Sequence, residues 1–169
     1  MRVIDGLLAE LEQEAAATRR VLERIPQAHL SWKPHSKSMS LGQLALHVAT
    51  VPGNVAELAA IDTVPEPPAF IQAEAATAAE LVPSLMASVA KAKQALGGFD
   101  DAKMSAMWRL QSNGREIMAM PRVAFVRAIM LNHWYHHRGQ LQVYLRLLDV
   151  PVPSVYGPTA DEANAFVAR

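Results

Sequence analysis

The chain has 169 residues, a formal net charge of zero and no cysteine. That length fits a single domain over residues 1–169 with one substantial core, and the balanced charge excludes the basic face that a general nucleic-acid binder needs. Without cysteine there is no disulfide, no thiolate ligand and no protein thiol nucleophile, so a metal must be held by histidine and oxygen, and a reacting thiol must come from a substrate.

No apolar run reaches the length of a membrane span. The first turns carry acidic residues in place of a charged segment followed by an apolar core, so no signal peptide is expected and the default compartment is the cytoplasm.

Residues 3–24 read as a helix, with Ile4, Leu7, Leu8, Leu11, Ala15, Val21 and Leu22 at helical spacing and Pro26 ending it. Glu10, Glu12, Glu14, Arg19, Arg20 and Arg24 are expected on a solvated face, acid early and base late as the helix dipole favours. Residues 26–39 form a connector in which Trp32 is a packing anchor. His29 and His35 are expected in the exposed loop, with His35 the one that could reach the mouth of a site.

Ser40-Leu41-Gly42-Gln43 is a capping box and opens helix two. Leu41, Leu44, Ala45, Val48 and Leu58 form its buried side, and His47 lies at the border of that stripe. Pro52-Gly53 is expected to break or kink the helix one turn beyond His47. A proline-rich crossover covers residues 62–75. A second capping box, Thr77 to Glu80, precedes helix three over about 78–96, and Gly97-Gly98 stops it.

Residues 99–120 are the least helical part. Asn113-Gly114 signals a type I′ turn, and Trp108, Leu110, Ile117 and Met118 allow a short hairpin that must pack on helices, or an irregular loop. Met104, Met107, Met118 and Met120 read as adaptable packing. Helix four then runs from Pro121 to 148, apolar on more than one side and therefore central. Tyr156 to Glu162 reads as a turn before a short terminal helix.

Within helix four lies Asn132-His133-Trp134-Tyr135-His136-His137-Arg138-Gly139-Gln140. His133 and His137 are i and i+4, one turn apart on one face, which is how a single helix offers two nitrogen ligands to one metal. His136 points about 60° to the other side of His133, so His137 is the expected partner. An imidazole at His47 would complete a facial three-histidine site with an open position, as catalytic zinc sites have. The competing reading is three hydrogen-bonded core histidines. Gln140 falls on the ligand face as a supporting partner. Arg138 is expected to meet solvent or a carboxylate, with orientation of an anionic substrate as the alternative. Gly139 is read as a small residue allowing close helix packing. Tyr156 and Asp161 would cap the site or fix the tail.

Four long helices predict an all-α four-helix bundle, a plan that places metal sites in its core from facing helices. Ser38 to His47, Asn132 to Leu141, and the ending from Leu145 through Tyr156-Gly157-Pro158 resemble the DinB family of damage-inducible four-helix-bundle proteins. The resemblance covers essentially the whole chain. It implies an up-down-down-up bundle, often a homodimer, with a divalent metal on His47, His133 and His137; three imidazoles suit zinc, nickel, copper or iron, and zinc or nickel is the expectation. It leaves three functions open: a metal-dependent transferase acting on a small-molecule substrate with a low-molecular-weight thiol, a metal-dependent hydrolase, or a non-catalytic metal-binding stress-response protein.

Overall fold

The computed structural model describes residues 1–69 and 72–162. The first helix, α1, spans Val3–Leu22, with Ile4, Leu7, Leu11, Ala15, Val21 and Leu22 buried. Glu14 is buried with them, which corrects its expected place on a solvated face. The connector then returns along the start of α2 (Leu41–Ala60). Two of the N–H groups that a helix's first turn leaves without partners, those of Leu41 and Gly42, donate to the carbonyls of Trp32 and Leu30 at 2.9 and 2.7 Å. Gly42 permits this approach, since a Cβ there would lie 3.2 Å from the Leu30 carbonyl oxygen. The Ser40 capping box forms in full: its hydroxyl accepts the Gln43 N–H at 3.1 Å and the Gln43 side chain accepts the Ser40 N–H at 2.9 Å.

α2 runs unbroken through Pro52, against the expected break. Proline has no N–H to give the Val48 carbonyl four residues earlier. The Trp134 indole N–H donates to that carbonyl instead, at 2.8 Å. Beside it, the Gly53 N–H donates to Ser88 Oγ at 2.7 Å, and Ser88 in turn donates to the Thr50 carbonyl at 3.0 Å. Side chains from two neighbouring helices thus take up the disturbed hydrogen bonds, and α2 stays helical.

After α2 comes β1 (Thr63–Val64), then the crossover, then a 3-10 turn at Ala78–Glu80 leading into α3 (Leu81–Leu96). The second capping box does not form: Thr77 makes no side-chain cap, and the Ala78 N–H is taken by Gln27 Oε1 at 2.6 Å. A short helix, α4 (Asp101–Ser105), capped by Asp100, precedes β2 (Met107–Ser112) and β3 (Arg115–Pro121). The hairpin turn is left-handed at both Asn113 (φ 50°) and Gly114 (φ 72°), as a type I′ turn requires. β2 pairs antiparallel with β3 and parallel with β1. The fold is therefore mostly helical with a small mixed three-stranded sheet, not all-α as expected. The hairpin packs through Trp108, whose ring stacks on Phe125 at 3.8 Å and whose N–H donates to the Leu58 carbonyl at 3.0 Å. Of the four methionines expected to pack, Met104 is buried, while Met107 and Met118 are exposed.

The last long helix is not uniform. α5 (Arg122–Phe125) passes into a π-helical segment at Val126–Asn132 and then α6 (His133–Leu147). The buried residues explain it: Arg122, Val126, Met130, Trp134 and Arg138 are spaced by four throughout. In a regular α-helix that spacing drifts by about 40° per step. Wider i→i+5 turns absorb the drift and keep one face inward.

α2 packs along α3 and against α6, and α1 packs against α3, giving a helical bundle around one apolar core. No described helix is long and apolar enough to cross a membrane. The terminal helix expected after Glu162 lies outside the described residues.

Candidate metal centre

The three predicted histidines meet between α2 and the start of α6. One ligand-competent nitrogen from each of His47, His133 and His137 lies within 4.8 Å of the others. Their ring centroids are 4.4–5.3 Å apart, and Nε2 of His133 and Nε2 of His137 face each other at 2.8 Å. His136 turns outward and is exposed.

Backbone register produces this convergence. His133 is the first residue after the π-helical segment, so the wider turns set the direction in which it and His137 project. The Trp134–Val48 hydrogen bond links the residue after His133 to the residue after His47. It fixes the axial position of α6 on α2 beside two of the three imidazoles.

Do these residues fit a metal? A tetrahedral ion at the usual zinc–nitrogen distance separates its ligand atoms by about 3.3 Å. The observed separations, from 2.8 Å to at most 4.8 Å, span that value. Metal binding also needs neutral imidazoles. Burial, then the neighbouring His137 and His133, pull the His47 pKa down to about 4. Burial likewise lowers His133, with the Ile129 carbonyl acting in the opposite direction, and lowers His137 against the favourable Gln140 contact. Gln140 Oε1 lies 2.8 Å from His137 Nδ1. As acceptor, it holds the proton on Nδ1 and turns the Nε2 lone pair toward the other two rings. The donor set, its spacing and its supporting partner all suit a divalent ion.

A cleft of about 720 Å³ opens on His47 and His133. It runs along α2 past Thr50, Asn54 and Leu58, and the crossover residues Pro68, Ala69, Gln72 and Ala73 form its other wall. Its volume falls in the range of small-molecule sites. Thr50 and Asn54 follow His47 at i+3 and i+7, a spacing visible in the sequence but not distinctive there.

Other expectations resolve differently. Arg138 is buried, with 2% of its side chain exposed, and pairs with Glu14 at 2.6 Å; it meets a carboxylate, neither solvent nor the cleft. Tyr156 donates to Glu14 at 2.8 Å and accepts from Arg138 at 2.6 Å, while Asp161 pairs with Arg146, so both fix the tail. Gly139 is exposed and nothing lies within 4 Å of where its Cβ would be; the close helix approach is at Gly53 instead, where a Cβ would fall 2.8 Å from the Ser88 carbonyl oxygen. His29 and His35 are exposed and outside the cleft, and Trp32 packs edge-on against Tyr144 at 5.6 Å.

A mostly helical bundle that gathers three histidines from two helices defines a class of candidate metal-binding proteins. Within that class, residues 1–165 match the DinB family model, and the chain belongs to the DinB family. It is 26% identical over 172 aligned positions to the uncharacterized protein YrdA of Bacillus subtilis, covering 98% of this chain and 95% of that one. Its fold is similar to that of a DinB-like protein from Bacillus cereus, with a TM-score of 0.70 at 23% identity over 90% of this chain and 97% of the other. It is also similar to the DinB-like protein YjoA of Bacillus subtilis, at 0.65 and 20% identity, covering 93% and 98% of the two chains.

Proposed function

We propose that His47, His133 and His137 hold one divalent metal ion, zinc or nickel, and that the protein is a metal-dependent transferase using a low-molecular-weight thiol with a small-molecule substrate. The observation that carries the reading is three neutral imidazoles converging beside a cleft that opens on two of them, His47 and His133, and is large enough for a small molecule. A metal held there supplies a Lewis acid that lowers the pKa of a thiol or water at its open position. The chain's own residues do the rest. Gln140 fixes the His137 tautomer, the Trp134–Val48 bond holds α6 in register, and the apolar cleft walls exclude water from what binds beside the histidines. With no cysteine in the chain, no protein thiol competes with an external one. The proposal includes an up-down-down-up helix order, a homodimer and a cytoplasmic location.

Elemental analysis of untagged protein purified without chelator tests the site. About one metal per chain is expected, lost in His47→Ala, His133→Ala and His137→Ala; metal retained by all three variants would overturn the assignment. A screen of electrophiles with and without added thiols tests the chemistry. Turnover that requires the thiol supports the transferase, and turnover without it favours a hydrolase acting through water.

A further inference from the structure

The cleft beside the histidines differs in character from the rest of the surface. Arginine and lysine are spread over the molecule, yet among the described residues none lines the cleft. Among the described residues its one charged lining residue is Glu57, and that carboxylate is engaged by Lys91 at 3.0 Å. The walls are Leu46, Val51, Val55 and Leu58 from α2 and Ile61 just beyond its end, facing Pro68 and Ala69. The polar groups sit on one line of α2: Gln43, Thr50 and Asn54. Two of them are already occupied, since Gln43 caps the helix and donates to the Gln72 carbonyl at 3.2 Å, and the Thr50 hydroxyl donates to the Leu46 carbonyl at 2.9 Å. Asn54 is exposed to the cleft, and its amide has no partner among the described residues. Seven residues of helix separate it from His47, about 10 Å.

We infer that this cleft selects an uncharged, largely apolar small molecule, bound with one end at the three histidines and a hydrogen-bonding group against Asn54. The inference deepens the proposed function but stands on the cleft alone. Along these walls, away from the three histidines, an anionic group would give up its hydration without meeting a counter-ion, which apolar surroundings penalise. Asn54 is the specificity-determining residue because its amide can both donate and accept without a charge.

Two dyes that differ by one anion test this: uncharged N-phenylnaphthylamine and its sulfonated counterpart, anilinonaphthalene sulfonate. Each is titrated by fluorescence into metal-free protein. The uncharged dye is expected to bind at least about tenfold more tightly than the sulfonate. Asn54→Trp, which fills the cleft from an exposed position, should abolish that binding while the far-ultraviolet circular dichroism stays that of the parent. Asn54→Lys should supply the missing cation and bring the sulfonated dye to at least the affinity of the uncharged one. Equal binding of the two dyes by the parent protein, or dye binding unchanged in Asn54→Trp, would overturn the inference. Dye selectivity in a protein that takes up no metal would leave the cleft's specificity standing and remove the proposed metal chemistry, so the two failures are distinguishable.

Discussion

Replacing Arg138 by methionine should destabilise the protein far more than its position next to His137 suggests. The guanidinium is 2% exposed and its partner Glu14 8% exposed at the side chain, so neither charge reaches bulk water. Arg138 also donates to the Glu14 carbonyl at 3.2 Å, to Thr18 Oγ1 at 3.1 Å and to Tyr156 at 2.6 Å. Methionine keeps most of the volume and gives back none of these bonds. Glu14 would be left buried with the Tyr156 hydroxyl as its remaining described side-chain donor. Breaking one side of such a pair costs about 3–5 kcal/mol. For a chain of this size that lowers the melting temperature by roughly 10 °C. The double variant Arg138→Met, Glu14→Leu removes both charges and should recover most of the loss, because an apolar pair of similar volume packs without stranding a charge. Urea denaturation of the four proteins of the cycle at neutral pH measures the coupling. Metal content should be unchanged in all four, since Arg138 faces α1 and not the histidines. A loss under about 1 kcal/mol for the single variant, or a double variant worse than the sum of the singles, would refute the reasoning.

Three further outcomes are expected. Trp134→Phe strands the Val48 carbonyl and should cost about 1–3 kcal/mol, and Pro52→Ala in that background should restore part of it by returning an N–H at position 52; denaturation midpoints decide this. Gly139→Ala should stabilise the protein by about 0.5–1 kcal/mol because its Cβ meets open space, whereas Gly53→Ala, driven against the Ser88 carbonyl, should destabilise it. Hydrogen bonds from Arg127, then from Tyr135, hold the Glu10 carboxyl below its ordinary pKa. A depressed folded-state pKa means stability that is fully present above the ordinary carboxyl range and lost as pH falls through the folded value. Glu10→Gln should therefore flatten the acid limb of the stability–pH profile, and an unchanged limb would argue against the Arg127–Glu10 pairing.

The i,i+4 histidines, the upstream histidine at a stripe border, the Ser40 box and the Asn-Gly turn were readable because each is a local pattern with one physical meaning. What stayed hidden depends on partners far away in sequence. Arg122 looks like an ordinary helix-start cation, yet it is fully buried and donates to the Ala59 carbonyl at 2.6 Å and the Lys103 carbonyl at 2.7 Å. Glu14 shares the charge pattern of a solvated face and is buried only because Arg138 arrives opposite it. β1 has two residues, too few for any alternation to register. The π-helical segment left a trace in the four-residue spacing from Arg122 to Arg138, but the same spacing first reads as a helix apolar on two sides. The expected break does not occur at Pro52. Its cost to a helix was judged from the helix alone, and the donor that answers it is eighty-two positions further along the chain.

That donor also bears on why the site sits where it does. A proline in α2 leaves a carbonyl that only a side chain can satisfy, and the side chain that does so belongs to the residue beside His133. α6 is then held along its length: to α2 by Trp134, to α1 by Tyr135 and Arg138, and to the α2 lead-in by the Tyr144 hydroxyl, which donates to the Met39 carbonyl at 3.3 Å. Each contact is polar and directional, so each fixes rotation and sliding in a way apolar packing does not. To hold a metal, three imidazoles would have to meet within a few tenths of an ångström of its preferred positions, and a helix free to rotate would lose that geometry first. The stranded carbonyl and the buried ion pair, both costly when viewed singly, together define the orientation of the helix that carries two of the three histidines.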